Sequence, residues 1–219
     1  MGTPNIEEAL KEHLEKVGLG YPKSDALVEL LRMNLTDEEL EVILGLPTQV
    51  PPFEVEDVET IIQRVDMEPE KAERALEGLA QKGFVYKETT DSGKPGYGFI
   101  QWGFGFPQVF YWKGDKTPQM GKVNELYFRN VKEARPLAKA RGTENAKSFR
   151  YVPIEKAVDY TLQGVLPYEQ MTKIIERSEV IALVHCPCRM MREVAGNRAC
   201  DHTLENCIKF NDMARFVID

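Results

Sequence analysis

All four cysteines of this 219-residue chain fall in its last thirty-odd residues, from His185-Cys186-Pro187-Cys188-Arg189 to Cys200-Asp201-His202-Thr203-Leu204-Glu205-Asn206-Cys207. The spacing is C-x-C, eleven residues, C, six residues, C. Nothing else in the chain limits its fold so strongly. Four sulfurs drawn to one point must tie distant segments together, and the rest of the chain then serves to present and shield them. Four converging thiolates are the usual complement of a four-iron cluster or of a tetrahedral zinc.

Other readings are weaker. Structural zinc favours paired C-x₂₋₄-C knuckles, whereas here one tight C-x-C stands with two single cysteines, so the spacing favours iron–sulfur over zinc. His185 and His202 bracket the site as further zinc donors or as neighbouring hydrogen-bond donors. Two disulfides come third, and a nucleophilic Cys186 thiolate is less economical than a ligand role for all four.

The bulk of the sequence bounds the setting. Hydrophobic residues make up 42% and charged residues 29%, enough for a core in an ordinary globular protein. No apolar run reaches the length of a membrane span, and the N-terminal residues do not read as a signal peptide, so a cytoplasmic location is expected. Disulfides are rare in that compartment, which strengthens the metal reading. The formal net charge of −7 argues against DNA as a partner.

Periodicity predicts a mostly helical front. Helices are expected over Glu7–Val17 and from Ser24 or Asp25 to Met33, and a capping box at Thr36-Asp37-Glu38-Glu39 opens a short third. Further helices are expected over Val55–Val65 and Glu70–Lys82, with Gly83 as a stop. Phe84–Lys87 and Tyr97–Ile100 read as a hairpin around Asp91–Gly96. Helix, turn, helix and hairpin over Val55–Ile100 resemble a winged helix. The second helix carries Glu68, Glu70, Glu73 and Glu77, which favours a packing or protein-contact module over a DNA reader. The aromatics from Trp102 to Trp112 read as core filling beneath the hairpin, with a partner-docking surface as the alternative.

Towards the C-terminus, Asn124–Ala140 is expected as a helix kinked or broken at Pro136, followed by a turn at Gly142–Lys147 and an extended Phe149–Ile154. Helices are expected over Glu155–Leu162 and Tyr168–Ser178, then a buried strand at Val180–Val184 delivering the chain to the cysteines. Thr203 is expected to cap a final helix with Cys207 one turn in, so that Cys200 and Cys207 bracket the helix N-terminus. Arg189, Arg192 and Arg198 are expected in the loop between the cysteines, neutralising thiolates or contacting a partner. Asp201, His202 and Glu205 would supply acid–base groups if the site were catalytic.

The segment from Val180 to Arg189, followed by Cys200 to Cys207, resembles a family of 4Fe-4S proteins of anaerobic bacteria and archaea. In that family a winged-helix-like front leads into a C-x-C-R … C-D-H-x-x-E-x-C segment. The resemblance implies that Cys186, Cys188, Cys200 and Cys207 ligate a [4Fe-4S] cluster and that the protein moves electrons to a redox partner protein. Members often continue into a ferredoxin-type domain. This sequence stops at Phe216-Val217-Ile218-Asp219, so a fragment or a short form is expected.

The expected class is α+β and mostly helical. A winged-helix-like domain with a β-hairpin would span 1–115, and a helical cluster-bearing domain 116–219. The expected function is that of an electron-transfer or redox accessory subunit. A cluster-sensing winged-helix transcription regulator, an enzyme binding substrate at the cluster and a zinc-bound structural module are the alternatives.

Overall fold

The computed structural model describes residues 5–17, 21–49, 54–102, 104–140, 174–198 and 200–218, excepting the side chains of 137–140. The fold is α+β and mostly helical. The front is built from α1 (Ile6–Val17), α2 (Asp25–Asn34) and α3 (Asp37–Val42), which runs into a 3₁₀ turn at Ile43–Gly45. Leu10 and Leu14 of α1 meet Leu27, Leu30 and Leu31 of α2, all at most 1% exposed. Each such leucine contributes about 1.5–3 kcal/mol of burial. The capping box forms as expected: Thr36 Oγ1 accepts from the Glu39 amide at 3.2 Å, and Glu39 Oε2 accepts from the Thr36 amide at 2.7 Å. Lys82 pairs with the same carboxylate at 2.5 Å, joining α3 to the end of α5.

Then come β1 (Glu56–Asp57), α4 (Val58–Ile62), α5 (Pro69–Gln81) and a hairpin, β2 (Val85–Thr89) and β3 (Pro95–Phe99). The strand order is β1-β3-β2, all antiparallel, with Glu56 opposite Tyr97 and Val85 opposite Phe99. The helix expected over Val55–Val65 is thus shorter at both ends. Glu56 and Asp57 leave it to pair with β3, and the Asp57 carboxylate accepts from Thr90 and Ser92 of the hairpin loop. Pairing with an otherwise open edge outweighs one more helical turn. Pro69 opens α5, and Gly83, at φ +66°, ends it with its amide on the Ala80 carbonyl at 2.8 Å.

The aromatic run belongs to the core. Phe106, Tyr111 and Trp112 are at most 8% exposed, and Val109–Trp112 forms α6. Helix α7 (Pro118–Ala140) begins a turn and a half earlier than periodicity suggests and continues through Pro136. It lies along α2, where Ser24 donates to the buried Asn130 and Glu133 accepts from the Ala26 amide at 3.0 Å. Residues 113–117, where the two halves were expected to divide, form the link from α6 to α7. The hydrophobic core runs across this link, from Leu10 through Val123 and Leu126 to Met190 and Met191.

The elements expected at 142–147, 149–154 and 155–162, and the first part of the one at 168–178, lie outside the described residues. Residues 174–177 are helical. The rear part then consists of β4 (Ile181–His185), α8 (Pro187–Val194), β5 (Glu205–Phe210) and α9 (Asp212–Ile218). β4 and β5 pair antiparallel, with Val184 opposite Cys207 and a bulge between Val184 and His185.

Three expectations change here. The strand at 180–184 is buried on one face only: Ala182 and Val184 are covered, while Ile181 and Leu183 are 42% and 62% exposed. The continuous final helix is a strand followed by a short helix. Asn211, at φ 49°, makes the break, with its amide on the Val180 carbonyl at 2.9 Å. Asparagine tolerates this left-handed conformation, and the two-residue alternation of Cys207, Ile208 and Lys209 suits a strand opposite β4. The arginine-rich stretch after Cys188 is a helix, so Arg189 and Arg192 lie on α8 rather than in a loop.

Candidate metal centre

β4 carries the chain to Cys186, which occupies the N-cap position of α8, and Pro187 takes the first helical position. Proline suits that place because its missing N–H would find no partner within the helix. The Cys186 amide donates to the Leu204 carbonyl at 2.8 Å, and the Cys186 carbonyl accepts from the Met190 amide at 2.9 Å. Cys186 is thereby pinned both to the segment entering β5 and to its own helix. Met190 and Met191, at 0% and 7% exposure, root α8 in the core, and Asn124 of α7 donates to the Met191 carbonyl at 3.1 Å. Gly196, at φ +67°, closes the helix.

Cys207 comes from the opposite strand. Directly opposed residues of an antiparallel pair share a face, so Cys207 lies on the same side as buried Val184, the side away from exposed Leu183 and Ile208. Cys186 and Cys207 both lie near enough to Cys188 to act on its thiol electrostatically. Although Cys188 is an exposed residue, partial burial of its thiol raises the pKa above the ordinary value, and the two neighbouring thiols add to the rise. Tyr127 of α7 also senses Cys188, and its hydroxyl is pushed up, chiefly by burial.

Cys200 sits on the segment between α8 and β5, and arginines brace this segment through its carbonyls. Arg198 donates to the Cys200 carbonyl at 2.6 Å and to that of His202, while Arg189 reaches the Thr203 carbonyl at 2.9 Å. Arg198 is held in turn by Glu193 at 3.3 Å, and Glu193 pairs with Lys116 at 2.6 Å. Two of the three arginines expected to neutralise thiolates therefore support the backbone around Cys200.

His185 bridges the site and α6. Its Nδ1 lies 3.3 Å from the Trp112 carbonyl, and its Nε2 lies 3.8 Å from Glu205. Gly114, at φ +78°, passes so close that a Cβ there would stand 2.5 Å from the imidazole. His202 and Asp201 lie on the braced segment, and Asp201, His202 and Glu205 are all exposed.

The placement of Cys207 at a helix N-terminus is corrected. Cys207 is a strand residue, and the helix N-terminus at this site belongs to α8, with Cys186 at its cap. The signals for α8 were present, with proline at its first position and glycine just beyond its end. Trp112 and Gly114 as neighbours of His185, and Tyr127 as a neighbour of Cys188, were not legible, since only tertiary packing brings them there.

All four cysteines are free thiols. Among the described residues, no three Cys, His, Asp or Glu side chains form a closed metal-holding group. By their chemistry the four thiols are donors of the kind a soft metal or an iron–sulfur centre takes, with Cys186 and Cys188 at the start of α8, Cys207 on β5 and Cys200 on the braced segment. No helix among the described residues is long and apolar enough to cross a membrane. Comparison with family models, with characterised proteins and with solved structures finds no match to this chain.

Proposed function

We propose that Cys186, Cys188, Cys200 and Cys207 hold one [4Fe-4S] cluster and that the protein exchanges single electrons with a partner protein. The observation that supports this reading is that four free cysteines are carried by one small part of the fold, Cys186 and Cys188 at the start of α8, Cys200 on the braced segment and Cys207 on the strand paired with β4. When bound, such a cluster supplies one-electron transfer at a potential set by its hydrogen bonds and its exposure to water. Cys186 is held by backbone bonds on both sides, so its sulfur has little freedom. Cys188 rides on a helix rooted by Met190 and Met191. Burial pushes its thiol up, so binding a metal would have to displace a proton there. Tyr127, largely buried, lies near Cys188. The braced segment gives Cys200 a defined approach.

The front is read as a winged-helix-like packing module, a reading supported by the strand order β1-β3-β2 beside α4 and α5. Glu68, Glu70 and Glu73 are exposed on or beside α5 and weigh against contact with a phosphate backbone. The test is anaerobic preparation. About four irons and as many sulfides per chain are expected, with a paramagnetic resonance signal on reduction, and replacing any one of the four cysteines by serine should sharply lower the iron content. A colourless protein carrying stoichiometric zinc would sink the proposal.

A further inference from the structure

A cavity of about 660 Å³ opens between the ends of α2 and α5, helix α6, the start of α7 and α9. A volume of this order is that of a small-molecule cleft. Val109, Phe110, Trp112, Met120, Val184 and Phe216 give it an apolar and partly aromatic wall. Trp112 is 8% exposed, yet its indole Nε1–H is buried without a hydrogen-bond partner. Buried donors are nearly always paired, so this one calls for an acceptor that the described residues do not supply.

Three charged side chains among the described residues line the same cavity. Lys82 is paired with Glu39. The side chains of Lys113 and Asp115 have neither an ion pair nor a hydrogen bond among the described residues. They stand on either side of Gly114, which turns the chain at φ +78° and donates its amide to the Tyr111 carbonyl at 3.1 Å. Across the cavity, Gln119 donates to Asn34 at 2.9 Å and ties the start of α7 to the end of α2. The wall is therefore braced, and its two uncommitted charges have opposite signs.

We infer that this cavity binds a free α-amino acid with an aromatic or large aliphatic side chain. Lys113 takes the carboxylate, Asp115 takes the ammonium group, and the apolar wall takes the side chain. A plain carboxylate would be opposed by Asp115, and a plain amine by Lys113. A residue inside a peptide chain carries neither charge. A zwitterion with an apolar body answers both charges and the wall together. This assignment does not rest on the cluster reading, because none of its groups is a cysteine.

The test is calorimetric titration of the full chain with L-phenylalanine and L-leucine. Three further probes each lack one part: 3-phenylpropionate has no ammonium group, 2-phenylethylamine no carboxylate and glycine no side chain. At least one of the two amino acids should bind at one site per chain, and each incomplete probe should bind about tenfold more weakly or worse. Lys113→Gln and Asp115→Asn should each weaken amino-acid binding by about tenfold. Both residues are exposed, so neither change should disturb folding. In Lys113→Gln the carboxylate should no longer matter, and phenylethylamine should bind as tightly as phenylalanine. Ala80→Phe, which places a ring in the cavity, should block binding while urea denaturation shows that the variant still folds. No saturable binding of either amino acid would overturn the inference. So would phenylpropionate binding as tightly as phenylalanine, or amino-acid affinity unchanged in both charge variants.

Discussion

The front and the rear of this molecule use the same materials to different ends. In the front, apolar side chains close over one another: Leu10, Leu14, Leu30, Leu31, Leu76 and Leu79 show no exposure. Its polar atoms are drawn into the frame, as when Glu39 caps α3 and pairs with Lys82. In the rear, a two-stranded sheet covers one face only. Leu183, Ile208 and Ile181 remain between 42% and 62% exposed among the described residues, and four thiols stay free. A small sheet gains little stability by itself. The rear is held by what it leans on: Met190 and Met191 sunk into the core, His185 against α6, and arginines on carbonyls. The front closes on itself, and the rear leaves one face of its sheet open.

The largest expected effect tests that contrast directly. Leu79→Ala should cost about 2–5 kcal/mol, through lost burial and the cavity left behind. Leu183→Ala should cost about 0.5 kcal/mol or less, as an exposed residue does. Urea denaturation of both variants measures the difference. Equal losses would mean that the outer face of β4 is covered in the folded protein, and the contrast would break.

A pair of glycines sharpens it next. Gly93 at the hairpin tip and Gly114 beside the cysteine site both adopt φ +78°. An added Cβ at Gly93 meets nothing within 4 Å, while at Gly114 it meets the His185 ring at 2.5 Å. Gly93→Ala should therefore cost only the backbone term, about 1–2 kcal/mol. Gly114→Ala should cost more, by up to about 3 kcal/mol in all, and should also lower metal uptake, because His185 leads directly into Cys186. If Gly114→Ala took up metal normally, the close approach to His185 would have no bearing on the site.

The smallest effect concerns His13 in the front. Burial pushes its imidazole pKa below the usual value, partly offset by a bond to the Leu46 backbone. The folded protein therefore holds it neutral over a range in which the unfolded chain, with an ordinary value of about 6.5, takes up a proton. Its contribution to stability is full above that value and is lost as pH falls through it towards the lower folded value. His13→Leu should make the urea midpoint less sensitive to a fall from about pH 7.5 to about pH 5.5. An unchanged pH dependence would refute the assignment.

Much of the front was legible because its signals are local. The stripe of Leu10, Leu14 and Val17, the capping box at Thr36 and Glu39, and Gly83 after α5 each act within a few residues of themselves. The site was legible as four cysteines and a C-P-C step, but its geometry was not. The segment from Thr203 to Val217 holds enough apolar residues for a helix or a strand. That choice fell to β4, whose backbone groups needed partners. Glu56 and Asp57 were likewise claimed by β3, and their own sequence did not decide it.

The chain by itself therefore determined which residues are core, where most helices begin and end, and which side chains carry the sulfur. Only the tertiary structure decided that Cys207 stands on a strand, that α8 follows directly on Cys186, that Trp112 and Gly114 meet His185, and that Tyr127 lies near Cys188. The reason is one of range. Caps, periodic faces and glycine turns are satisfied by near neighbours, whereas a strand exists only when another segment arrives to share its hydrogen bonds.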